Sequence, residues 1–460
     1  MDFPIFHADF FGNRFLIGFI SVVHVIINHG FAVGMIPLIT SMEWWARRTG
    51  KPEWDELARK ILFVCFIVTT SVGALTGVGI WFSTAVVNPY AIGSLLRVFF
   101  FYWAAEWIVF CIEVTMIMWY YLSWKKMTGE RKSAHIRIGV VLSLMSWLTM
   151  FVIVAVLGFM MNPGAWLMER NFFSGVMNPV YIPQLGFRTF LALSLAGSLA
   201  LALITAFTKR GSDLRASAVR FTSGWTLFFL MPMLVWSVVY YKSIPKGMLP
   251  NLPVSFGTIA FEAYYGDLLT LTYVSFAIAA LVCLFGLWRP RMANSVYWIL
   301  PVVLFMSVMA QFERARQFVR KPYVIGYYMY SNTVRVEDVP YLTKTGLLAN
   351  SVWTKHRKVT KDNAVEAGKD IFMIACSRCH TVNGINSIRG NLEKLYPGQW
   401  DAGAIEMYIR NIHGARPYMP PFVGTAEERA ALAAYLAGLQ NRPDIVSSPA
   451  AASQGARTGN

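Results

Sequence analysis

Eight apolar stretches, at roughly 14–42, 58–83, 94–124, 136–161, 184–208, 217–241, 266–288 and 294–313, fill most of the first two thirds of this chain of 460 residues. Each reaches the roughly 20 residues that a helix needs to cross the hydrocarbon core of a bilayer. In lipid every backbone N–H and C=O must be bonded inside its own segment, so such a chain is confined to a bundle of transmembrane helices. The formal charge of +16 does not mark a nucleic-acid surface. Its basic residues lie mostly in the short connections between apolar runs, where they orient a membrane protein. One set of connections carries Arg47, Arg48, Lys51, Arg59, Lys60, Lys125, Lys126, Arg131, Lys132, Arg137, Lys209, Arg210, Arg215, Arg220, Arg289 and Arg291, and the opposite set only Arg170, Lys242 and Lys246. That contrast places the first set in the cytoplasm and both termini outside, on the periplasmic face of a bacterial inner membrane. "MDFPIFHADFFGN" has no basic residue before Arg14 and no cleavage site follows, so the first helix is expected to serve as the targeting signal.

After residue 313 the composition changes. Residues 314–361 read as a connector, with "RVEDVPYLTKTG" polar and short of helical periodicity, and 362–440 as a small soluble domain. Residues 441–460, rich in Ser, Ala, Gly and Pro, read as a disordered tail. The expected organisation is all-α: a polytopic bundle over 1–313, then a small helical domain. That domain holds "FMIACSRCHTVNG", in which Cys376, Cys379 and His380 form the pattern CxxCH. Two thiols at this spacing attach one haem c covalently and the histidine binds its iron, a chemistry completed on the outer side of the membrane. Loop charge and attachment chemistry therefore agree on topology. The remaining cysteines, Cys65, Cys111 and Cys283, lie singly in apolar runs as packing residues.

"AVEAGKDIFMIACSRCH" reads as a helix entering the motif, "GAIEMYIRNIHG" as a middle helix and "TAEERAALAAYLAGLQ" as a last helix with Thr425 as its N-cap. Between the last two, Met419 stands among Pro417, Pro420 and Pro421 as the candidate sixth iron ligand, with His413 as the alternative. Motif, middle helix, methionine loop and last helix in this order resemble a class I cytochrome c. The competing reading of Cys376 and Cys379, a disulfide or part of a zinc site, lacks a second Cys/His pair at zinc spacing.

Ionisable groups inside a membrane span are costly and therefore functional suspects. The first helix has His24 and His29, the third Glu106 and Glu113, and Glu313 ends the eighth with Arg316 and Gln317 beyond it. Glu106 and Glu113, seven apart, share a helix face and fit a two-step proton ladder. At 1.5 Å per residue Glu106 lies roughly 18 Å, Glu113 roughly 28 Å and His24 about 15 Å from the outer ends of their helices. For His29 packing is the favoured reading, and Glu313 with Arg316 has an interfacial ion pair as its alternative.

"NRFLIGFISVVHVIINHGFAVGMIPLITSMEW", "TSVGALTGVGIWF", "AAEWIVFCIEVTMIMWYYLSW", "VLGFMMNPGAW" and "FERARQFVRKPYVIG" resemble subunit I of the cytochrome bd quinol oxidases, with Arg14 and His24 at the family's spacing. The resemblance implies that His24 and Glu313 are axial ligands of a close pair of non-covalent haems, b and/or d, and that Arg316 and Gln317 keep the family's spacing after the glutamate. It also implies Glu113 on the proton path and Glu106 as a second pathway or haem-contacting carboxylate, offset by one position from the family's. The departures carry equal weight. Arg188 stands where the family has the histidine of its quinol-side haem, no methionine lies between 249 and 291, the quinol loop shrinks to 242–266, and the ninth helix has no counterpart.

The expected protein is a haem-containing subunit of a respiratory oxidoreductase. It takes electrons through the c haem from a periplasmic donor protein instead of quinol and reduces O2 or NO at its membrane haems, beside a second membrane subunit and further respiratory subunits. The alternative from another class is an electron-transfer subunit whose haems bind no gas. A haem-free anchor leaves His24, Glu106, Glu113 and Glu313 without a role.

Overall fold

The structure is a computed structural model and describes residues 5–256 and 267–441. The expected tail beyond 441 and the end of the shortened loop, 257–266, lie outside the described residues. Seven helices among the described residues are long and apolar enough to cross a membrane. The chain is a multi-pass membrane protein.

The first span, α1, runs Asn13–Ile27, passes through a π-helical turn at Asn28–Val33 and continues as Met35–Thr49. The second, α2, starts with Pro52 in its first turn, where a missing N–H costs nothing. It too is interrupted by a π turn, Thr69–Gly73, before Ala74–Val87. The third, α3, spans Pro89–Ser123, with the side chain of Asn88 accepting the N–H of Ala91 as its N-cap. Then follow α4 Lys132–Met161, α5 Tyr181–Phe207, α6 Asp213–Ser243, α7 Asp267–Trp288 and α8 Ser295–Val319. The eighth apolar run thus forms a helix that extends past Glu313, and Glu313, Arg316 and Gln317 lie on it together.

The fifth helix is the hub, packed against α1, α4, α6 and α8. Its small and aliphatic residues, Ala192, Leu195, Ala196, Ala200 and Ile204, are wholly buried. By contrast α3 turns Phe100, Phe101, Trp107, Ile108, Trp119 and Leu122 outward, apolar surface suited to lipid or another subunit.

Beyond α8 a short antiparallel hairpin, β1 Tyr323–Ile325 with β2 Met329–Tyr330, leads to α9 Val339–Thr345. The second core is built by α10 Ala364–Ala375, α11 Ile388–Leu395, α12 Ala402–Arg410 and α13 Ala426–Gly438. Its buried residues include Ile371, Phe372, Ile405, Leu432 and Leu436, together with Tyr330, Leu342, Leu347 and Leu348. The segment read as a connector is therefore partly integral to this core. "RVEDVPYLTKTG", expected to be irregular, contains α9 with Pro340 in its first turn, a seven-residue helix too short to show a period. Thr425 caps α13 in a reciprocal capping box with Glu428. The carboxylate of Glu428 also accepts the N–H groups of Leu347 and Leu348, each at 2.8 Å.

Candidate functional site

Helix α10 delivers Cys376 at its C-cap. A tight turn follows, in which the N–H groups of Cys379 and His380 both donate to the carbonyl of Cys376, at 3.0 and 2.9 Å. The Nδ1 of His380 lies 3.2 Å from the carbonyl of Asn386. That bond fixes the tautomer with Nδ1–H donating and leaves the Nε2 lone pair for a metal. Burial holds the imidazole down at about 4, so it is neutral at physiological pH. The two thiols differ: burial pushes Cys376 up to about 12, whereas at Cys379 burial, the largest single influence, is outweighed by Lys321, Arg14, Arg378 and a hydrogen bond from Ser331 acting together, which hold the thiol below its ordinary value. Cys376 and Cys379 are not bonded to each other, and among the described residues no cluster of three or more His, Cys, Asp or Glu forms around them.

Met419 is half-buried on a loop pinned from two sides. Its N–H donates to Arg416 at 2.8 Å, and its carbonyl accepts from Nδ1 of His413 at 2.7 Å. This bond holds His413 to the loop's backbone through Nδ1 and, as at His380, leaves Nε2 as the nitrogen open to a metal. The next contacts tie this centre to the membrane bundle. The Tyr418 ring meets Phe318 of α8 with centroids 5.4 Å apart. Ile385 donates its N–H to the carbonyl of Phe10 at 3.0 Å, and Arg378 donates to the carbonyl of Val87 at the end of α2. Gly384 touches the carbonyls of Asp9 and Phe10 so closely that any side chain there would force them apart. Arg14 lies over the Phe318 ring.

Inside the bundle, Glu313 is 4% exposed and holds two guanidinium groups. Arg188 donates to one carboxylate oxygen and Arg316 to the other, the latter at 2.9 Å. Arg188 reaches on to Nε2 of His29 at 3.2 Å. His29, expected as a packing residue, therefore joins the Glu313 cluster from the π turn of α1. His24 is half-buried and bonds instead to the π turn of α2, its Nδ1 lying 3.2 Å from both the carbonyl of Gly73 and the hydroxyl of Thr76. A Cβ on Gly77 would come within 3.1 Å of its ring, so glycine there makes room for the imidazole. Both histidines thus lie on α1, His29 inside its π turn and His24 bonded across to the π turn of α2, and π turns are frequent at functional positions.

Nη1 of Arg316 and both Nε and Nη1 of Arg320 are buried with no hydrogen-bond partner, as is Nε of Arg188. Gln317 meets only one of the Arg320 donors, at 2.6 Å. Buried guanidinium groups in excess of carboxylates require an anion. A haem, with a pair of propionates, fits this donor set, and a neutral imidazole and a carboxylate are ligands that its iron accepts.

On the far half of the bundle, Glu113 is buried and accepts from Thr149 at 3.2 Å, while Glu106 is only half-buried. Tyr120, a further seven residues along the same face of α3, donates to Glu43 at 2.6 Å. Sequence reading passed over Glu43 and its partners. Glu43 and His135 are both fully buried and bonded to each other, and Lys132 bridges Glu43 at 2.8 Å to the partly exposed Asp55 at 2.7 Å. The available signal was a lone acid in the last apolar turns of "MIPLITSMEWW".

Fold and attachment motif define a multi-pass membrane haem protein with an appended c-type domain. Residues 13–243, just over half of the chain, match the family of cytochrome bd terminal oxidase subunit I, and the chain belongs to that family. Residues 363–436 match the family described as cytochrome c oxidase, cbb3-type, subunit III. Among solved structures, the bd oxidase from Geobacillus thermodenitrificans has a similar fold, with a TM-score of 0.56 and 15% sequence identity over 68% of this chain and 86% of that one. No curated protein matches the sequence. The chain is a haem-containing respiratory oxidoreductase subunit.

Proposed function

We propose that this subunit takes electrons from a periplasmic donor protein through a covalent c haem, in place of quinol, and serves the reduction of O2 or NO at haems in its membrane domain. The observation that carries this reading is the seating of the outer domain on the bundle: Ile385 and Arg378, at and beside the attachment motif, bond to Phe10 just before α1 and to Val87 at the end of α2, and Tyr418 of the methionine loop packs on Phe318 of α8. A carrier tethered for shuttling needs no such contact, whereas an entrance built into the enzyme does.

Cys376 and Cys379 would hold the c haem through thioethers, with His380 and Met419 as its iron ligands. His24 and Glu313 would bind the membrane haems, b and/or d. Haem supplies electron storage and, where its iron keeps an open position, gas binding. The chain's own residues do the rest. Arg316 and Arg320 would anchor propionates through their unpartnered buried donors, with Gln317 orienting Arg320. Asp55, Lys132, Glu43 and Tyr120 form a polar mouth at the cytoplasmic end, and Glu113 and Glu106 continue it along α3 at intervals of roughly 10 Å. Side chains or water must bridge those intervals for a proton to pass. With the positive loops inside, electrons enter from one face and protons from the other, so turnover separates charge.

The test is a reduced-minus-oxidised absorption spectrum of the purified complex, repeated with carbon monoxide. A b or d band that shifts with carbon monoxide supports gas reduction. Membrane haem bands that all stay fixed would make the chain an electron conduit to a partner subunit.

A further inference from the structure

We propose that Arg188 is a fixed buried cation that raises the reduction potential of the haem held by Glu313, so that a high-potential c haem can feed it directly. The inference rests on the reading of Glu313 as an iron ligand. Arg188 is completely buried on α5, with its guanidinium 5.0 Å from the centre of the Phe312 ring and enclosed by α1 and α8. Because its Nη1 donates to Nε2 of His29, that nitrogen is an acceptor and the imidazole is neutral. His29 therefore neither cancels nor adds charge. Glu313 is the carboxylate that answers Arg188, and it is shared with Arg316, one guanidinium on each oxygen.

Two consequences follow from charge alone. A carboxylate whose oxygens are both engaged by cations donates less electron density to a metal, which disfavours the ferric state. A buried positive charge also opposes formation of the more positive oxidation state, and it does so more strongly in low dielectric than in water. A His/Met c haem sits at high potential, so its acceptor must sit at least comparably high for electrons to run forward. The cluster supplies that bias from within the protein. Arginine suits the position because it stays charged when buried and can grip two partners at fixed angles.

The experiment is redox titration of the membrane haems in the intact complex carrying Arg188→Gln or Arg188→Lys, with haem content measured in parallel. Arg188→Gln keeps hydrogen-bonding capacity and removes the charge. The expected result is at least a tenfold shift of the reduction equilibrium toward the oxidised form, 59 mV for one electron, with the c-haem potential and the haem-to-protein ratio unchanged. Arg188→Lys, which retains a cationic side chain, should leave the potential nearer that of the unaltered complex than Arg188→Gln does. An unshifted potential in Arg188→Gln at full haem content overturns the proposal. So does loss of haem from Arg188→Gln, which would make the guanidinium a structural prop. Glu313→Ala separates the underlying reading: if that variant keeps every membrane haem with unaltered spectra, the ligand assignment fails whatever Arg188 does.

Discussion

At the level of single residues, the membrane centre is defined by excess positive charge around one carboxylate. Glu313 binds Arg188 and Arg316, and Arg320 adds two further donors with no partner. Buried ions persist where a counter-ion or bound anion satisfies them, which is why these side chains favour haem propionates over an empty apolar core. His24 stands apart from this cluster, on the first part of α1, and bonds to the π turn of α2. His24→Ala is expected to remove one membrane haem while leaving the c haem, read as the ratio of pyridine-haemochrome bands, and an unaltered b or d content would exclude it as a ligand. In the outer domain His413 bonds to the Met419 carbonyl through Nδ1, so the loop carries two candidate ligands, the thioether of Met419 and Nε2 of His413. Met419→Ala should lower the c-haem potential with the covalent haem retained, checked by redox titration.

Among the helices, two long-range devices carry most of the specificity. Glu43 joins α1 to Tyr120 of α3 and to Lys132 and His135 of α4, and Lys132 extends the network to Asp55 of α2. Glu43→Gln keeps the shape but removes the proton-exchanging group. Turnover should slow on the order of 10²-fold, the low end of what a positioned proton-transfer group contributes, while the c haem still reduces at the normal rate in stopped-flow. In the outer domain Glu428 closes the α13 capping box and holds the backbone of Leu347 and Leu348. Removing a buried, charge-assisted acceptor costs roughly 1.5–3 kcal/mol per bond. Glu428→Ala should therefore lower the thermal midpoint of the c-type domain, followed by loss of its haem band on heating, without altering the membrane-haem spectra.

For the whole molecule, function depends on how the outer domain sits on the bundle. One tight contact is Gly384, where a Cβ would run into the carbonyls of Asp9 and Phe10 just before α1. Gly384→Val should push the attachment motif away from α1. Electron transfer from the c haem to the membrane haems should slow in flash or stopped-flow measurements, with both haem complements intact; an unchanged rate would mean that this contact does not set the transfer distance. The sequence by itself determined the helical bundle, the haem-attachment motif and the class I cytochrome c pattern. These are written in local quantities: apolar run length, thiol spacing and the order of short helices. Its reading of 314–361 as a connector left out a seven-residue helix and a two-stranded hairpin, which carry too little periodicity to read. Only the tertiary structure decided that Arg188 meets Glu313 across 125 positions, that Glu43 meets His135 across 92, and that Ile385 docks on Phe10. A buried charge announces its cost in the sequence but not its partner, because the partner is chosen by packing between distant segments.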